Sequence, residues 1–252
     1  METVDTINTI EPTDTINAAL TAADCSARHS ATADSLTDTP LFLPMLEQQL
    51  DFDRHYRQLM YIHEAAISQI TARLNTLKGE FQFSNDRNPI DSISSRIKSK
   101  ESILYKMQQK GLPLTISALV ENIHDIAGVR VVCPFIEDVY AVARMLVRQH
   151  GIDVIQVKDY IRNPKENGYR SLHMIVKTNV DFAETSKSIT VEIQIRTIAM
   201  NFWASTEHQL RYKKNRSFTE EVQQKLKECA DLMARADRQM QEIAGDFEED
   251  QW

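Results

Sequence analysis

The chain has 252 residues, of which 42% are hydrophobic, and its formal net charge is −7. This length fits one large domain or two small ones, and no apolar run approaches the roughly 18–20 residues needed to cross a bilayer. The three cysteines lie far apart and form no CxxC pair, and no basic start precedes an apolar stretch. The sequence therefore predicts a cytoplasmic protein without a secretory signal, a disulfide framework or a structural zinc site.

Acidic residues are concentrated at the two ends of the chain. Residues 1–44 carry seven acids and one base, residues 241–252 carry five acids and no base, and the remainder has 24 acids against 28 bases. A mildly basic body suits a polyanionic small molecule, whereas a dedicated nucleic-acid binder would show a strong Lys/Arg stripe. Residues 1–44 are also poor in large apolar side chains, so they are predicted to form a disordered acidic extension.

A long amphipathic helix is predicted from about residue 45. Apolar residues recur at helical spacing from Tyr56 to Leu77, and Gly79 suits the end of the helix. His63 lies within the apolar stripe, which predicts a buried, hydrogen-bonded histidine.

The centre of the chain alternates between strand and helix patterns. This mixture predicts an α/β or α+β sheet with helices packed against it. Strands are predicted near 93–98, 128–134, 152–158, 171–178 and 188–196, and helices near 100–110, 115–122, 136–149 and 197–212.

The C-terminal segment 218–252 has a heptad pattern that predicts a helix with a partner. Such a seam packs on another helix, either the 46–78 helix of the same chain or a helix of a second subunit. Its small and soft residues favour packing on neighbouring helices over an isolated dimeric coiled coil. The seam consists of Val222, Leu226, Cys229, Met233, Ala236, Met240, Ile243 and Phe247.

Residues 94–106 combine strand-borne cations with the start of a helix. Arg96 and Lys98 share a face of the predicted strand, and Ser99 can cap a helix whose first turns present Ser102 and Lys106. This pattern suits phosphate binding, although a solvated basic strand end fits it equally well. The chain contains no Walker-type loop and no GxGxxG fingerprint, so a bound nucleotide would depend on side chains.

Residues 124–133 place a carboxylate at the entrance of a strand. Asp125 precedes a turn predicted at Gly128, and Arg130 follows on the strand. One or two carboxylates together with phosphates are sufficient for Mg²⁺. The pair His124–Asp125 also resembles an HD-type metal phosphohydrolase, but the remaining histidines lack ligand spacing, so His124 is predicted to be structural.

Residues 159–173 read as a loop that leads into a strand. Asn163-Pro164 and Asn167-Gly168 are turn signals, and Tyr169 is surrounded by cations, which suits a stacking platform for a base. Packing is the alternative role for this tyrosine. Ser171 and His173 share a face of the following strand and are predicted to offer further donors.

Residues 190–197, TVEIQIRT, alternate apolar and polar side chains. The polar members, Glu192, Gln194 and Arg196, either form a wet surface stripe or face a cleft that binds a charged ligand. The strand alone favours the surface stripe.

Five segments, in their order and separations, resemble the single-domain GTP pyrophosphokinases, the small alarmone synthetases of the RelA/SpoT group. They are SRIKSKESIL, HDIAGVRVVC, DYIRNPKENGYRSLHMIV, VEIQIRTIAMNFWASTEH and RYK. The resemblance covers about residues 45–240. It implies an α+β fold related to the nucleotidyltransferases, in which a mixed five-stranded sheet is flanked by helices, with long N- and C-terminal helices.

The resemblance also implies an activity and residue roles. Family members transfer the β,γ-pyrophosphate of ATP to the 3′-hydroxyl of GDP or GTP, and the product signals in the stringent response. Glu192, as the base, and Asp125 would serve catalysis and Mg²⁺. Tyr169 would stack on guanine and Asn201 would read its edge. ATP would be held by Arg96, Lys98, Ser102, Lys106 and Arg130, and the acceptor nucleotide by Tyr169, His173, Gln194, Asn201, Lys158 and Lys165.

The resemblance further implies a homotetramer, with an alarmone bound between subunits as a regulator in some members. It divides the chain into an extension (1–44), a synthetase domain (45–217) and a C-terminal helix (218–252). Gln108 and Gln109 stand where more basic residues are expected, which leaves the ATP affinity open.

Two alternatives stay open. A nucleotidyltransferase that adds a nucleotide would usually show a DxD or DxE pair on one strand, and the predicted strands carry none. A catalytically silent alarmone- or RNA-binding module would not need Asp125 and Glu192. GDP and GTP are both open as acceptors.

Overall fold

The computed structural model describes residues 42–83, 87–214 and 218–249. The chain divides into two units, Met1–Gln49 and Leu50–Trp252. Within the first unit only residues 42–49 are described, and they are helical. Most of the extension predicted for residues 1–44 therefore lies outside the described residues, and the division into domains stays a prediction.

The described residues form six helices and five strands. The helices are α1 (Phe42–Phe83), α2 (Lys100–Gln109), α3 (Ile116–Asn122), α4 (Ile136–Val147), α5 (Ile198–Lys214) and α6 (Glu220–Glu249). The strands are β1 (Ser92–Ile97), β2 (Ala127–Cys133), β3 (Ile152–Asp159), β4 (Leu172–Asp181) and β5 (Ser186–Thr197).

The strands form one mixed sheet in the order β1-β2-β5-β4-β3. Strand β2 runs parallel to β5, and every other neighbouring pair is antiparallel. The predicted five-stranded α+β fold is confirmed. No described helix has the length and apolarity that a membrane crossing requires.

Two glycines do not have their predicted roles. Helix α1 continues through Gly79 to Phe83, and Gly128 lies inside β2 with a negative φ, where no turn occurs. A single glycine costs a helix interior only about 1 kcal/mol relative to alanine, so α1 can continue past Gly79, and Gly128 is held in β2 by its pairing with Arg96 and Glu192. His63 is buried as predicted, with Nδ1 2.8 Å from the Leu59 carbonyl oxygen, and burial lowers its pKa.

The sheet has one apolar face and one polar face. Alternate residues of β2, β4 and β5 pack with apolar side chains of α1 and α4 in the main core, which includes Val129, Met174, Ile193 and Leu146. The residues between them on these strands, including Arg130, His173 and Glu192, point to the opposite face. The polar face is the one on which a site can form.

Helix α6 packs mainly on α5 and α4. Ala230 and Ala234 are its buried apolar residues, whereas Cys229, Met240 and Ile243 of the predicted seam are exposed. The predicted seam is therefore only partly used within the described chain.

Candidate active site

The register of the sheet places the predicted polar residues in two rows on one face. Residues directly opposite each other in neighbouring strands share a face. One row crosses all five strands and consists of Ser94, Arg130, Gln194, His173 and Lys158. The adjacent row contains Arg96, Gly128 and Glu192.

Five side chains form a closed ring of hydrogen bonds, here called the polar ring: Glu192, His173, Tyr169, Arg196 and Gln194. His173 Nδ1 lies 3.0 Å from Glu192 Oε1, and His173 Nε2 lies 2.7 Å from the Tyr169 hydroxyl. Arg196 Nη2 donates to the Tyr169 hydroxyl (2.5 Å) and to Gln194 Oε1 (2.7 Å). Gln194 Nε2 closes the ring by donating to Glu192 Oε2 at 2.8 Å.

The direction of these hydrogen bonds follows from the donors available. An ionised carboxylate can only accept, so His173 donates from Nδ1, and the Nε2 of a neutral imidazole then accepts from the Tyr169 hydroxyl. Arg196 has no acceptor atom and must donate. Each member therefore orients its two neighbours.

The polar residues of β5 are not a wet surface stripe. Arg196 is only 4% exposed, and its Nε also donates to the Ser171 hydroxyl at 3.3 Å. Ser171 is fully buried, and its hydroxyl donates to the Ile195 carbonyl oxygen of β5 and accepts from Arg196. The prediction that it offers a donor to a ligand is therefore wrong. Sequence reasoning gave Arg196 no role, although the alternation of β5 pointed to it.

Glu192 is ionised at neutral pH. Burial acts to raise the pKa of its carboxyl, but the hydrogen bond and charge of His173, together with the hydrogen bond from Gln194, outweigh burial, so the pKa lies below its usual value. The charge of Asp125 also acts to raise the Glu192 pKa, which places the two carboxylates in electrostatic reach of each other.

Asp125 is held between two lysines. Lys98 Nζ lies 2.8 Å from Oδ2, and Lys106 Nζ lies 2.8 Å from Oδ1 in an ion pair without hydrogen-bond alignment. Burial acts to raise the pKa of Asp125, but the two lysines together lower it by more. The pKa therefore lies below its usual value. Ser99 caps α2 as predicted, because its hydroxyl accepts from the Ser102 backbone N–H.

Three guanidinium groups lie within electrostatic reach of one another. Burial lowers the pKa of Arg130, and the charges of Arg196 and Arg96 lower it further. Arg130 Nε is buried and has no hydrogen-bond partner among the described residues. An anion at this point would relieve both the repulsion and the missing hydrogen bond.

A cavity of about 310 Å³ joins these groups. It is lined by Ser94, Ser95, Arg96, Gly128, Val129, Arg130, Glu192, Gln194 and His208. Gly128 lies beside Arg96, and a Cβ there would be 3.6 Å from Arg96 Cγ, an ordinary contact distance. His208 was not predicted, because an exposed histidine on a helix gives no signal in the sequence.

Tyr169 is more enclosed than an isolated stacking platform. Lys165 Nζ lies 5.0 Å from the centroid of the Tyr169 ring and 4.8 Å from the centroid of the Tyr160 ring. All three residues lie on the loop between β3 and β4, here called the acceptor loop (residues 160–171). The Tyr169 ring also packs beside Trp203 and Ala230. A base that stacks on Tyr169 must therefore displace the exposed Lys165 side chain.

Helix α6 holds the acceptor loop from behind. Gly168 has φ +85°, and a Cβ built there would lie 2.5 Å from Ala230 Cβ. Arg170 Nη1 donates to the Ala230 carbonyl oxygen and Nη2 to Asp231, each at 3.2 Å. This contact between α6 and the loop was not predicted from the sequence.

The remaining predicted residues, Lys158 and Asn201, are not among the residues that line the cavity. Lys158 is exposed at the end of the long row, on the edge strand β3. Asn201 is on α5, one turn before Ala204, and its buried Oδ1 has no hydrogen-bond partner among the described residues. The structure thus places Glu192 and Gln194 of the polar ring around one cavity with Arg96 and Arg130, and Asp125 lies within electrostatic reach of Glu192.

Comparisons with known proteins identify the family and the fold of this chain. Residues 95–217 match the family described as "Region found in RelA / SpoT proteins". The chain is 39% identical to GTP pyrophosphokinase YwaC of Bacillus subtilis (strain 168), covering 73% of this chain and 88% of that protein. It is 35% identical to GTP pyrophosphokinase YjbM of the same organism, covering 79% and 93%. The structure is similar to the small alarmone synthetase 1 of Bacillus subtilis bound to its product pppGpp, with a TM-score of 0.72, 34% identity, and coverage of 77% of this chain and 98% of that chain.

Proposed function

Because the chain belongs to the small alarmone synthetases of the RelA/SpoT group, we propose that it is a GTP pyrophosphokinase. It transfers the β,γ-pyrophosphate of ATP to the 3′-hydroxyl of GDP or GTP. The products are AMP and guanosine tetra- or pentaphosphate, the signals of the stringent response.

One observation carries this proposal: a single cavity is lined by Glu192 and Gln194 of the polar ring and also by Arg96 and Arg130. An oriented carboxylate beside unsatisfied cations suits a hydroxyl acceptor placed next to a polyphosphate. Binding both reactants in line supplies on the order of 7–11 kcal/mol of barrier reduction.

The cationic side of the cavity is proposed to bind ATP. Arg96 and Arg130 face the donor nucleotide, and the unpartnered Nε of Arg130 supports this role. Lys98 and Lys106 bind the triphosphate together with Ser102 in the first turn of α2, where backbone N–H groups favour anions. Gln108 and Gln109 lie in the last turn of α2, away from that turn.

Asp125 and Glu192 fit a Mg²⁺ ion. Their carboxylate oxygens are hard ligands, and Mg²⁺ needs only one or two of them together with phosphate oxygens and water. Among the described residues, no three or more His, Cys, Asp or Glu side chains are grouped so that they could hold a metal ion by themselves, so phosphate oxygens of the substrate and water would complete the coordination. When bound, Mg²⁺ neutralises charge on the triphosphate.

Glu192 is proposed to orient the acceptor. Its lowered pKa makes the carboxylate a weak base, so positioning of the 3′-hydroxyl precedes proton transfer. The bond from O3′ to the β-phosphorus forms, the bond from that phosphorus to the α,β-bridging oxygen breaks, and AMP leaves. The proton of the hydroxyl passes to Glu192.

The acceptor nucleotide is proposed to lie against the tyrosine end of the polar ring. Guanine stacks on Tyr169 after Lys165 has moved to the acceptor phosphates, which Lys158 also approaches. The buried, unpartnered Oδ1 of Asn201 suits the N–H groups on the edge of guanine. His173 and Gln194 hold the ribose side.

A homotetramer is proposed as the working assembly, in the cytoplasm where the nucleotide substrates are found. The exposed apolar residues of α6 support an interface, and an alarmone bound between subunits is proposed as the regulator. Light scattering on the chain with and without residues 219–252 tests the seam. An unchanged number of subunits would remove the seam from the interface.

The activity is tested by incubating the full chain with Mg²⁺, ATP labelled in its terminal phosphates, and GDP or GTP in separate reactions. We expect AMP and guanosine tetra- or pentaphosphate in a one-to-one ratio. A nucleotidyltransferase would instead release inorganic pyrophosphate and attach AMP to the acceptor. The absence of any product from a chain that binds nucleotide would favour the binding module and reject the proposal.

A further inference from the structure

A second cavity, of about 390 Å³, lies on the apolar face of the sheet between α4 and the edge formed by β3 and β4. Leu172 and Met174 line it, and they alternate along β4 with His173, which faces the polar ring. The two cavities share no lining residue. We call this one the edge cavity, and it takes no part in the proposed reaction.

The floor of the edge cavity is apolar. Besides Leu172 and Met174 it includes Ala143, Val147 and Val157. Val147 and Val157 remain 49% and 51% exposed, although their neighbours belong to the main core. Covering these side chains with an apolar group would remove that surface from water.

The rim of the edge cavity carries two arginines, Arg144 in the last turn of α4 and Arg148 at its C-cap, one turn apart. Neither has a carboxylate within ion-pair distance among the described residues. Like charges at this spacing repel each other. Elsewhere this chain pairs such positions with opposite charge, as in Glu207–Arg211 and Glu221–Lys225.

A third arginine, Arg162, lines the edge cavity beside Asp159, whose carboxylate is already hydrogen-bonded. Asp159 Oδ1 accepts the backbone N–H groups of Ile161 and Arg162, and its Oδ2 accepts from the Tyr140 hydroxyl at 3.0 Å. Arg162 Nε lies 3.5 Å from the same carboxylate, and its guanidinium covers the Tyr140 ring. Because Asp159 balances Arg162, the rim keeps the two positive charges of Arg144 and Arg148.

We propose that the edge cavity binds an amphipathic organic anion, an apolar chain or ring that carries a phosphate or a carboxylate. The apolar body lies on Val147, Val157 and Met174, and the anionic group pairs with Arg144 and Arg148. Guanidinium groups bind both anions through paired hydrogen bonds. The volume falls within the ~300–1,000 Å³ of small-molecule sites, and an apolar lining with a few convergent polar groups is their usual composition.

Calorimetric titration of the full chain with decyl phosphate tests this proposal, with decanoate as the carboxylate probe. Decanol and inorganic phosphate each supply only half of the ligand. We expect one saturable site per chain for at least one of the two amphipathic anions, and binding weaker by roughly tenfold or more for decanol and phosphate. Equal binding of decanol, or no saturable binding of either anion, would overturn the proposal.

Two pairs of variants locate the site. Arg144→Gln with Arg148→Gln should weaken binding by roughly tenfold or more, whereas Arg235→Gln with Arg238→Gln, exposed on α6, should leave it unchanged. Val157→Glu places a negative charge in the cavity and should abolish binding. Ile155→Glu, equally exposed at 51% on the same strand but outside the cavity, is its control.

Unchanged binding in both cavity variants would place the ligand elsewhere and overturn the proposal. A second copy of the chain is the other occupant that an apolar edge can accept. If the parent chain binds neither anion and Val157→Glu alone lowers the mass measured by light scattering, the edge cavity is a subunit interface and the proposal fails.

Discussion

The two halves of the candidate active site satisfy their polar groups in different ways. In the polar ring, five side chains bond to one another, and the buried Arg196 has acceptors at Tyr169, Gln194 and Ser171. Around Arg130, the guanidinium groups repel one another, and Arg130 Nε has no partner among the described residues. One half is satisfied by the protein's own groups, whereas the other half carries positive charge that a bound anion would balance.

This difference indicates which half of the site contributes binding affinity and which half orients the reacting groups. A satisfied network is rigid and holds its members in one geometry, which suits the positioning of an acceptor hydroxyl. An unbalanced cluster of cations costs stability in the free protein and recovers it when a polyanion binds. We therefore infer that the cationic half around Arg130, here called the donor half, serves binding, and that the polar ring, here called the acceptor half, serves geometry.

Glu192 belongs to both halves, so its replacement should have the largest effect. We expect Glu192→Gln to lower the rate of synthesis by about 10²–10⁴-fold or more, because the acceptor hydroxyl loses its charged partner. Glu121→Gln, exposed on α3, is the control, and circular dichroism checks that both variants are folded. Near-normal turnover of Glu192→Gln would refute its role.

Tyr169→Ala tests the acceptor half alone. If guanine stacks on the ring, the loss of ~1–3 kcal/mol should raise the KM for GDP and GTP by about 5- to 150-fold and leave the KM for ATP nearly unchanged. Tyr169→Phe keeps the ring and removes only the hydroxyl of the polar ring, so it should raise the acceptor KM less. Equal increases in the KM of ATP and acceptor would count against stacking.

The order of elements was predictable because each one repeats its pattern several times. The strand and helix ranges read from alternation and capping agree with the observed bounds within a few residues, and Ser99 caps α2 as its sequence indicates. The ends set by single glycines were not predictable. At Gly128, pairing with β1 and β5 prevails over the preference of one residue, and α1 continues past Gly79 because one glycine costs a helix only about 1 kcal/mol.

The site was predictable as a set of residues but not as a geometry. The alternation in β5 identifies Glu192, Gln194 and Arg196 as one face, yet their ring depends on β4 pairing so that His173 lies opposite Gln194. The choice of β2 as the parallel neighbour of β5 also brings Arg130 to that row. The turn between β4 and β5 sets the first pairing, whereas β2 and β5 lie far apart in the chain, so no local signal in a single sequence predicts the second.

A matched pair of substitutions compares the two halves directly. Arg196→Met leaves the Tyr169 hydroxyl, Gln194 Oε1 and Ser171 without their donor, so we expect a loss of about 1–3 kcal/mol in the free energy of unfolding. Arg130→Met removes a desolvated, repelled charge, so stability should be unchanged or higher while ATP binding weakens. Urea titrations and ATP titrations measure the two effects. Equal loss of stability in both variants would mean that the halves do not differ as described.

Gly168→Ala tests whether the acceptor half depends on α6. Alanine at φ +85° costs roughly 1–2 kcal/mol, and its Cβ would also meet that of Ala230 at 2.5 Å. Gly111→Ala, at φ +64° with nothing within 4 Å, should show the backbone cost alone. We expect a larger loss of thermal stability and a raised acceptor KM for Gly168→Ala only. Ala230→Gly added to Gly168→Ala should recover part of the acceptor KM, and Ala230→Gly alone measures the roughly 1 kcal/mol that glycine costs in the interior of α6. No recovery of the acceptor KM would assign the effect to the backbone.

The smallest expected effect concerns Asp237, which ties α6 to the end of β5 beside the polar ring. Its Oδ2 accepts from the Thr197 hydroxyl at 2.7 Å, and burial raises the pKa of its carboxyl above the usual value despite this bond and the charge of Arg170. A raised folded pKa means that the contribution to stability is complete below the unfolded pKa of about 3.8 and is lost as the pH rises through the folded value.

Asp237→Asn keeps an acceptor for Thr197 without the buried charge, so its melting temperature should exceed that of the parent at pH 7. The difference should shrink toward pH 4. A lower melting temperature of Asp237→Asn at pH 7 would show that the charge itself supports the contact between α6 and the acceptor half.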